Sequence, residues 1–352
     1  MKFKGVQICC PHCKGDLRET TLETSQLVCQ SCRRKFPVIL DIPDLRVFPD
    51  PYIEREADHA KGLQVAARFD ELDFAGLVDF YYSITSVVPK EDARRYTRGL
   101  LGGAARARAS LDSWEKATGN GHKLPASGRL LEIGCGTAPL LVSAAARFDQ
   151  VVGVDIAFRW LVVAKKRLAD EGLDLPLICA CAEALPFPDE SFDRVVADSV
   201  LEHVADQQKA LAQCYRVLTQ SGRLFVSTPN RFSLGPDPQV GIWGGGILPE
   251  RWLAAYVERH GGIPPKRRLL SARSLSALIR RAGFGVPRVM LPDIANAQRD
   301  YFGKGMQMMI DVYQTAKQLP VSRQCLELIG PLLHAVAEKG SDRSQSTNEV
   351  RA

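Results

Sequence analysis

Five short apolar runs, at 130–133, 151–154, 175–179, 194–197 and 224–227, are the feature that most restricts what this chain can fold into. Segments of about helix length separate them. Strands buried on both faces read as continuous apolar runs, because crossover helices cover each side. The stretch 126–230 is therefore expected to form an α/β domain around a parallel sheet, with ligands at the carboxyl ends of its strands.

The flanks are built differently. Residues 1–45 are cysteine-rich, with short strand-like runs between turn signals, and Pro43, Pro49 and Pro51 then mark a linker. The pattern from 52 to 120 is helical and reads as a cap region. Residues 231–268 are rich in Gly, Pro and aromatics and too long for an ordinary connection, which suits a lid. An amphipathic helix at 271–282 ends at Gly283. A strand-like run at 286–291 and a helical insertion at 294–330 follow, then a last apolar run at 332–338. The polar tail 339–352 is expected to be disordered.

Bulk composition narrows the class. The net charge of +6 is spread along the chain, its densest spots being Arg33–Lys35, Lys165–Arg167 and Lys266–Arg268, so it does not argue for a nucleic-acid footprint. No apolar run approaches the ~18 residues of a membrane span. Residues 1–6 are too short and polar for a secretory signal, and ten cysteines then point to a reducing, cytoplasmic setting where thiols bind metal or pack in cores. The sequence carries no signal of oligomeric state.

Cys10 and Cys13 form one C-x-x-C pair, and Cys29 and Cys32 another, with 15 residues between Cys13 and Cys29. Two such pairs on facing turns supply four thiolates, the tetrahedral set of a structural Zn²⁺ ribbon. Cys9 is a rival for Cys10, His12 a weaker one, and iron an alternative metal. About 40 residues bury too little surface to fold unaided, so the metal would supply the missing stability.

The first strand of the α/β region runs into Glu132, Gly134, Cys135 and Gly136, with Pro139 opening a helix. The glycines permit a tight turn and close approach of a ligand to the backbone. Asp155 ends the second strand 19 residues after Gly136, where an acid can accept both hydroxyls of a ribose. Pro139 stands where a dinucleotide fingerprint would place its third glycine, which argues against NAD or FAD. Ala182-Glu183 through Asp193, the LEHV segment at 201–204 and the GRLFVST segment at 222–228 complete the pattern.

On these motifs the region from about 128 to 230 resembles the class I S-adenosylmethionine-dependent methyltransferases of the UbiE/UbiG-like group. Residues 1–45, with the run at 36–45, resemble Trm112-like or YcaR-like zinc ribbons. The resemblance implies a Rossmann-like sheet of seven strands, the last antiparallel, with the runs at 286–291 and 332–338 as sixth and seventh. It implies a Rossmann-like domain over 121–338. It also implies that S-adenosylmethionine passes Gly134, Cys135 and Gly136, bonds Asp155 through its ribose and packs its adenine on Ile156. Glu132 and Asp198 are further candidates for cofactor binding. Cys181 replaces a frequent Asp, leaving adenine recognition to Cys181, Ala182 and Glu183.

Methyl transfer is an in-line displacement that needs mainly alignment and exclusion of water, with a base for O–H or N–H acceptors. His203 and His260 are the candidate bases. Tyr81, Tyr82, Arg231, Trp243, Trp252 and Tyr256 are candidate contacts for a small-molecule acceptor. Two other readings stand beside this one: an rRNA methyltransferase using the ribbon for RNA, and a non-catalytic cofactor-binding scaffold.

Overall fold

The computed structural model describes residues 1–20, 25–118, 128–235, 237, 241–260, 263–294, 299 and 303–340. Apart from Lys339 and Gly340, the polar tail lies outside them. The ribbon comprises a hairpin of β1 (Lys2–Phe3) and β2 (Val6–Gln7), then a four-stranded antiparallel sheet of β3 (Leu17–Thr20), β4 (Gln26–Cys29), β5 (Lys35–Ile39) and β6 (Ile42–Pro43). Four helices follow: α1 (Arg55–Ala66), α2 (Phe74–Ser83), α3 (Lys90–Leu101) and α4 (Gly103–Thr118).

The central domain alternates β7 (Arg129–Ile133), α5 (Pro139–Ala145), β8 (Gln150–Asp155), α6 (Phe158–Asp170), β9 (Leu177–Cys179), β10 (Phe192–Asp198), α7 (Gln207–Val217) and β11 (Leu218–Pro229). Then come α8 (Glu250–Arg259), α9 (Ala272–Arg281), β12 (Arg288–Met290), α10 (Lys304–Ala316), α11 (Pro320–Ile329) and β13 (Leu332–Glu338). The seven strands lie in the order β12-β13-β11-β10-β7-β8-β9, and β13 alone runs antiparallel to both its neighbours. This is the expected seven-stranded Rossmann-like sheet with its last strand reversed.

Two apolar cores flank the sheet. On one face Leu140, Leu141, Phe158 and Leu161 pack with Val65 of α1, Leu77 of α2 and Leu111 and Trp114 of α4. The helical region 55–118 thus covers a face of the sheet. On the other face α7 and α9 share the core with ribbon residues Ile8, Leu17, Leu27 and Phe36. Between β9 and β10 there is no helix, only a 3₁₀ turn at Ala182–Ala184. Pro186 and Pro188 remove the donors a helix would need there. The ribbon lies against this connection: Cys9 N donates to Pro186 O (2.9 Å) and Lys14 Nζ to Leu185 O (2.9 Å).

The ribbon also extends the large sheet. Asp44 pairs in parallel with Cys179 of β9, and Leu45 N donates to Cys179 O at 2.7 Å. The prolines read as marking a linker sit in a segment held against the domain. Buried Arg46 anchors it, donating from Nε and Nη2 to Asp44 (2.9 and 2.7 Å) and from Nη1 to Asp58 of α1 (2.7 Å) and to the Ile156 carbonyl (3.0 Å). Asp58 in turn accepts from Phe158 N (2.9 Å) and Arg159 N (3.2 Å), so a carboxylate from another helix caps the first turn of α6. No helix among the described residues is long and apolar enough to cross a membrane.

Candidate active site

The chain turns sharply after β7. Gly134 (φ +70°) donates to Val154 O at 2.7 Å, and a Cβ there would lie 1.9 Å from Val200 Cγ2, so only glycine fits. Gly136 (φ +50°) donates to Asp155 Oδ2 and Ala157 N to Asp155 Oδ1, each at 2.8 Å. The carboxylate is thereby fixed at the tip of β8. Each oxygen accepts one backbone N–H here and has a further lone pair for a hydroxyl. Burial raises the Asp155 pKa, opposed by those two N–H donors.

Glu132 and Thr137 flank the turn. Both are buried, and Glu132 Oε2 and Thr137 Oγ1 have no hydrogen-bond partner. Burial, then the fields of Asp198 and Asp155, hold the Glu132 carboxyl well above its usual range. Cys135 contributes backbone only, since its thiol packs into the core beside Gly153.

These groups border an open crevice of about 1100 Å³ at the carboxyl edge of the sheet. Ile133, Gly134, Asp155, Ile156, Ala182 and Glu183 line it from the sheet. The other wall is the segment Phe48 to Tyr52, which the sequence offered only as a linker, together with Lys266 to Arg268, the end of the stretch read as a lid. Tyr52 Oη donates to Lys266 O and accepts from Lys266 N, both at 3.1 Å, which ties the two segments together. Cys181 is buried, with its thiol toward Phe48 O (3.5 Å). Glu183 Oε1 accepts from Ala205 N (2.9 Å) and Asp206 N (3.3 Å), so it braces the turn before α7. Asp198 ends β10, accepting from Ser199 Oγ at 3.2 Å.

The four cysteines Cys10, Cys13, Cys29 and Cys32 converge, their sulfurs within 4.8 Å of one another. The Cys10–Cys32 and Cys13–Cys29 separations are 3.7 and 3.4 Å. A tetrahedron with metal–sulfur bonds of about 2.3 Å has edges of roughly 3.8 Å, so the donor set fits zinc. Neither Cys9 nor His12 belongs to this cluster.

Comparison with known proteins agrees with this geometry. Residues 131–226 match the methyltransferase-domain family Methyltransf_11, and residues 8–39 match the Trm112p-like proteins. A demethylmenaquinone methyltransferase from Thermus thermophilus is 30% identical over 180 residues, covering 47% of this chain and 82% of that protein. A ubiquinone biosynthesis O-methyltransferase from Chelativorans sp. is 32% identical over 174 residues, covering 49% and 67%. The chain belongs to the UbiE/UbiG-like group of S-adenosylmethionine-dependent methyltransferases. A solved S-adenosylmethionine-dependent methyltransferase from Thermotoga maritima superposes with a TM-score of 0.43 at 23% identity, over 70% of this chain and 95% of that one.

In this methyltransferase the residues suggested for the acceptor side separate into three groups. His203 lines the crevice, its Nε2 4.0 Å from Oε1 of buried Glu202. Burial lowers the His203 pKa, against a hydrogen bond with the Lys266 backbone, which favours the neutral imidazole. Burial pushes Glu202 up to about 7, although its Oε2 accepts from Thr228 Oγ1 at 3.0 Å. Tyr82, Tyr256 and His260 face a second cavity of about 400 Å³ between α3 and α8, shared with Tyr96 and divided from the crevice by Tyr52. His260 Nδ1 is 2.8 Å from Tyr256 O. The third group reaches neither cavity. Tyr81 is buried on Trp160 with its hydroxyl toward Arg159 Nε (3.3 Å), while Trp243, Trp252 and Arg231 are solvent-exposed.

Proposed function

We propose that this methyltransferase transfers a methyl group to a small-molecule acceptor, with the adenosyl group held at Asp155. The observation that carries the reading is the Asp155 carboxylate, fixed by Gly136 and Ala157 at the edge of an open crevice walled by residues 48–52 and 266–268. Bound S-adenosylmethionine supplies an already activated methyl group, so the chain's task is to align the acceptor and exclude water. The wall of Phe48 to Tyr52 and Lys266 to Arg268 narrows the crevice, and the adjoining tyrosine-lined cavity is of small-molecule size. Both favour a compact acceptor over a macromolecule. Relatives named for demethylmenaquinone and for ubiquinone biosynthesis agree with such an acceptor. Neutral His203 at the crevice is placed to take a proton from a hydroxyl or amine.

Calorimetry with S-adenosylhomocysteine tests the cofactor half. A hydrogen bond to a charged group contributes about 1.5–3 kcal/mol, so Asp155→Ala should weaken binding at least about tenfold. Unchanged affinity removes Asp155 from the role. Incubation with methyl-labelled cofactor and a cell extract tests the acceptor half: label should enter the small-molecule fraction. Label confined to RNA or protein would refute it.

A further inference from the structure

Of the residues that the sequence offers for an adenine, two have side chains committed elsewhere. The Cys181 thiol is buried and points to Phe48 O at 3.5 Å. Glu183 Oε1 accepts from Ala205 N and Asp206 N, bracing the turn before α7. What the sheet itself presents to the crevice beside Asp155 is apolar surface, from Ile156 and Ala182. A base laid on that surface would have one face covered and the other in water.

Strand register brings a ring to the same place. Asp155 of β8 pairs with Cys179 of β9, and Cys179 pairs in parallel with Asp44. The two chains stay together beyond that row, where Cys181 meets Phe48. Phe48 therefore stands on the edge that carries Asp155, and it lines the crevice with Ile156, Ala182 and Lys209. The tyrosine and tryptophan of the same crevice are engaged: Tyr52 exchanges two hydrogen bonds with Lys266, and Trp160 packs on Tyr81 at 4.1 Å. Phe48 is 41% exposed, and the one aromatic or cationic contact of its ring among the described residues is Lys209 Nζ, 4.7 Å over a face. A cation on one face leaves the other free for a second planar group.

We propose that Phe48 stacks on the adenine of the bound cofactor, so that the segment leaving the cysteine ribbon completes a site which the Rossmann-like domain alone leaves open. The inference rests on the methyltransferase reading and adds a contact residue to it from outside the sheet. Stacking draws affinity from the π-face of a base and needs no hydrogen-bonding side chain. It therefore suits a site in which the Cys181 and Glu183 side chains are already occupied. Cofactor affinity then depends on the ribbon: the Asp44–Cys179 pairing and the Leu45 N–H to Cys179 O bond hold Phe48 at the crevice.

S-adenosylhomocysteine is titrated by calorimetry into the full-length protein and into its Phe48→Ala and Phe48→Trp variants. Losing a base–aromatic stack to alanine weakens binding about fivefold or more, so Phe48→Ala should show that loss. Its melting temperature without ligand should match wild type, because the ring is partly in solvent. Phe48→Trp should bind within about twofold of wild type, since an indole stacks as well as a phenyl ring. The emission of the introduced indole, read as the difference from wild type, should change as S-adenosylhomocysteine fills the site. Wild-type affinity in Phe48→Ala, equal losses in both variants, or indole emission that stays constant at saturation would overturn the proposal while leaving the methyltransferase reading intact. Failure of the wild-type protein to bind S-adenosylhomocysteine would strike that reading, and the stacking contact with it.

Discussion

Replacing Arg46 with methionine should be among the most damaging single substitutions outside the apolar cores. The change keeps a stem of similar length but deletes the guanidinium that donates to Asp44, Asp58 and the Ile156 carbonyl. Asp44 and Asp58 are both fully buried. Asp58 would keep Phe158 N, Arg159 N and the Arg159 guanidinium, whereas Asp44 would keep the Arg46 N–H, His59 and a long ion pair with Arg55 at 3.9 Å. Removing one partner of a buried ion pair costs about 3–5 kcal/mol, because the other charge stays buried. At about 2 °C per kcal/mol for a chain of this size, the melting temperature should fall by roughly 6–10 °C. The Ile156 carbonyl loses its anchor beside Asp155, so S-adenosylhomocysteine affinity should drop as well. Calorimetric melting and titration read the two effects. Arg68→Met, at an exposed pair with Glu71, is the control and should cost under about 1 kcal/mol. If Arg46→Met costs no more than the control, the network does not couple ribbon to catalytic domain.

The ribbon should carry one zinc per chain by elemental analysis, and Cys29→Ser should lose the metal and lower the melting temperature; metal-free protein with four freely reactive thiols refutes the site. The raised pKa of Glu202 means the folded state holds that proton more tightly than the unfolded chain does. Its stabilising contribution is therefore full below pH 4.5 and is lost as pH rises towards about 7, by at most about 3 kcal/mol. Glu202→Gln lacks this loss, so its melting temperature relative to wild type should climb between pH 5 and 8, and a constant difference would show that Glu202 does not titrate there.

The strands β7, β8, β10 and β11 were legible because helices cover both their faces, leaving apolar runs with no polar alternation. The glycine turn and Asp155 were legible because tight turns and ribose hydroxyls each demand one residue type. What local pattern does not carry is long-range pairing. Arg46 meets Ile156 across 110 residues, and Asp58 meets Phe158 across 100, with no periodicity to announce either contact. The prolines between 43 and 51 read as a linker, since proline marks a break whether or not the chain then docks on a sheet. Tyr81 and Tyr82 looked equivalent, but successive helical residues point about 100° apart, so one entered the core and the other the second cavity.

The parallel pairing of Asp44 with Cys179 has a consequence for association. Without it β9 would be a bare outer strand, its three residues Leu177, Ile178 and Cys179 wholly apolar and its backbone groups open to another chain. The metal-bearing segment is thus a cover for an adhesive margin, and stripping its zinc should cause concentration-dependent clumping before the rest of the domain melts.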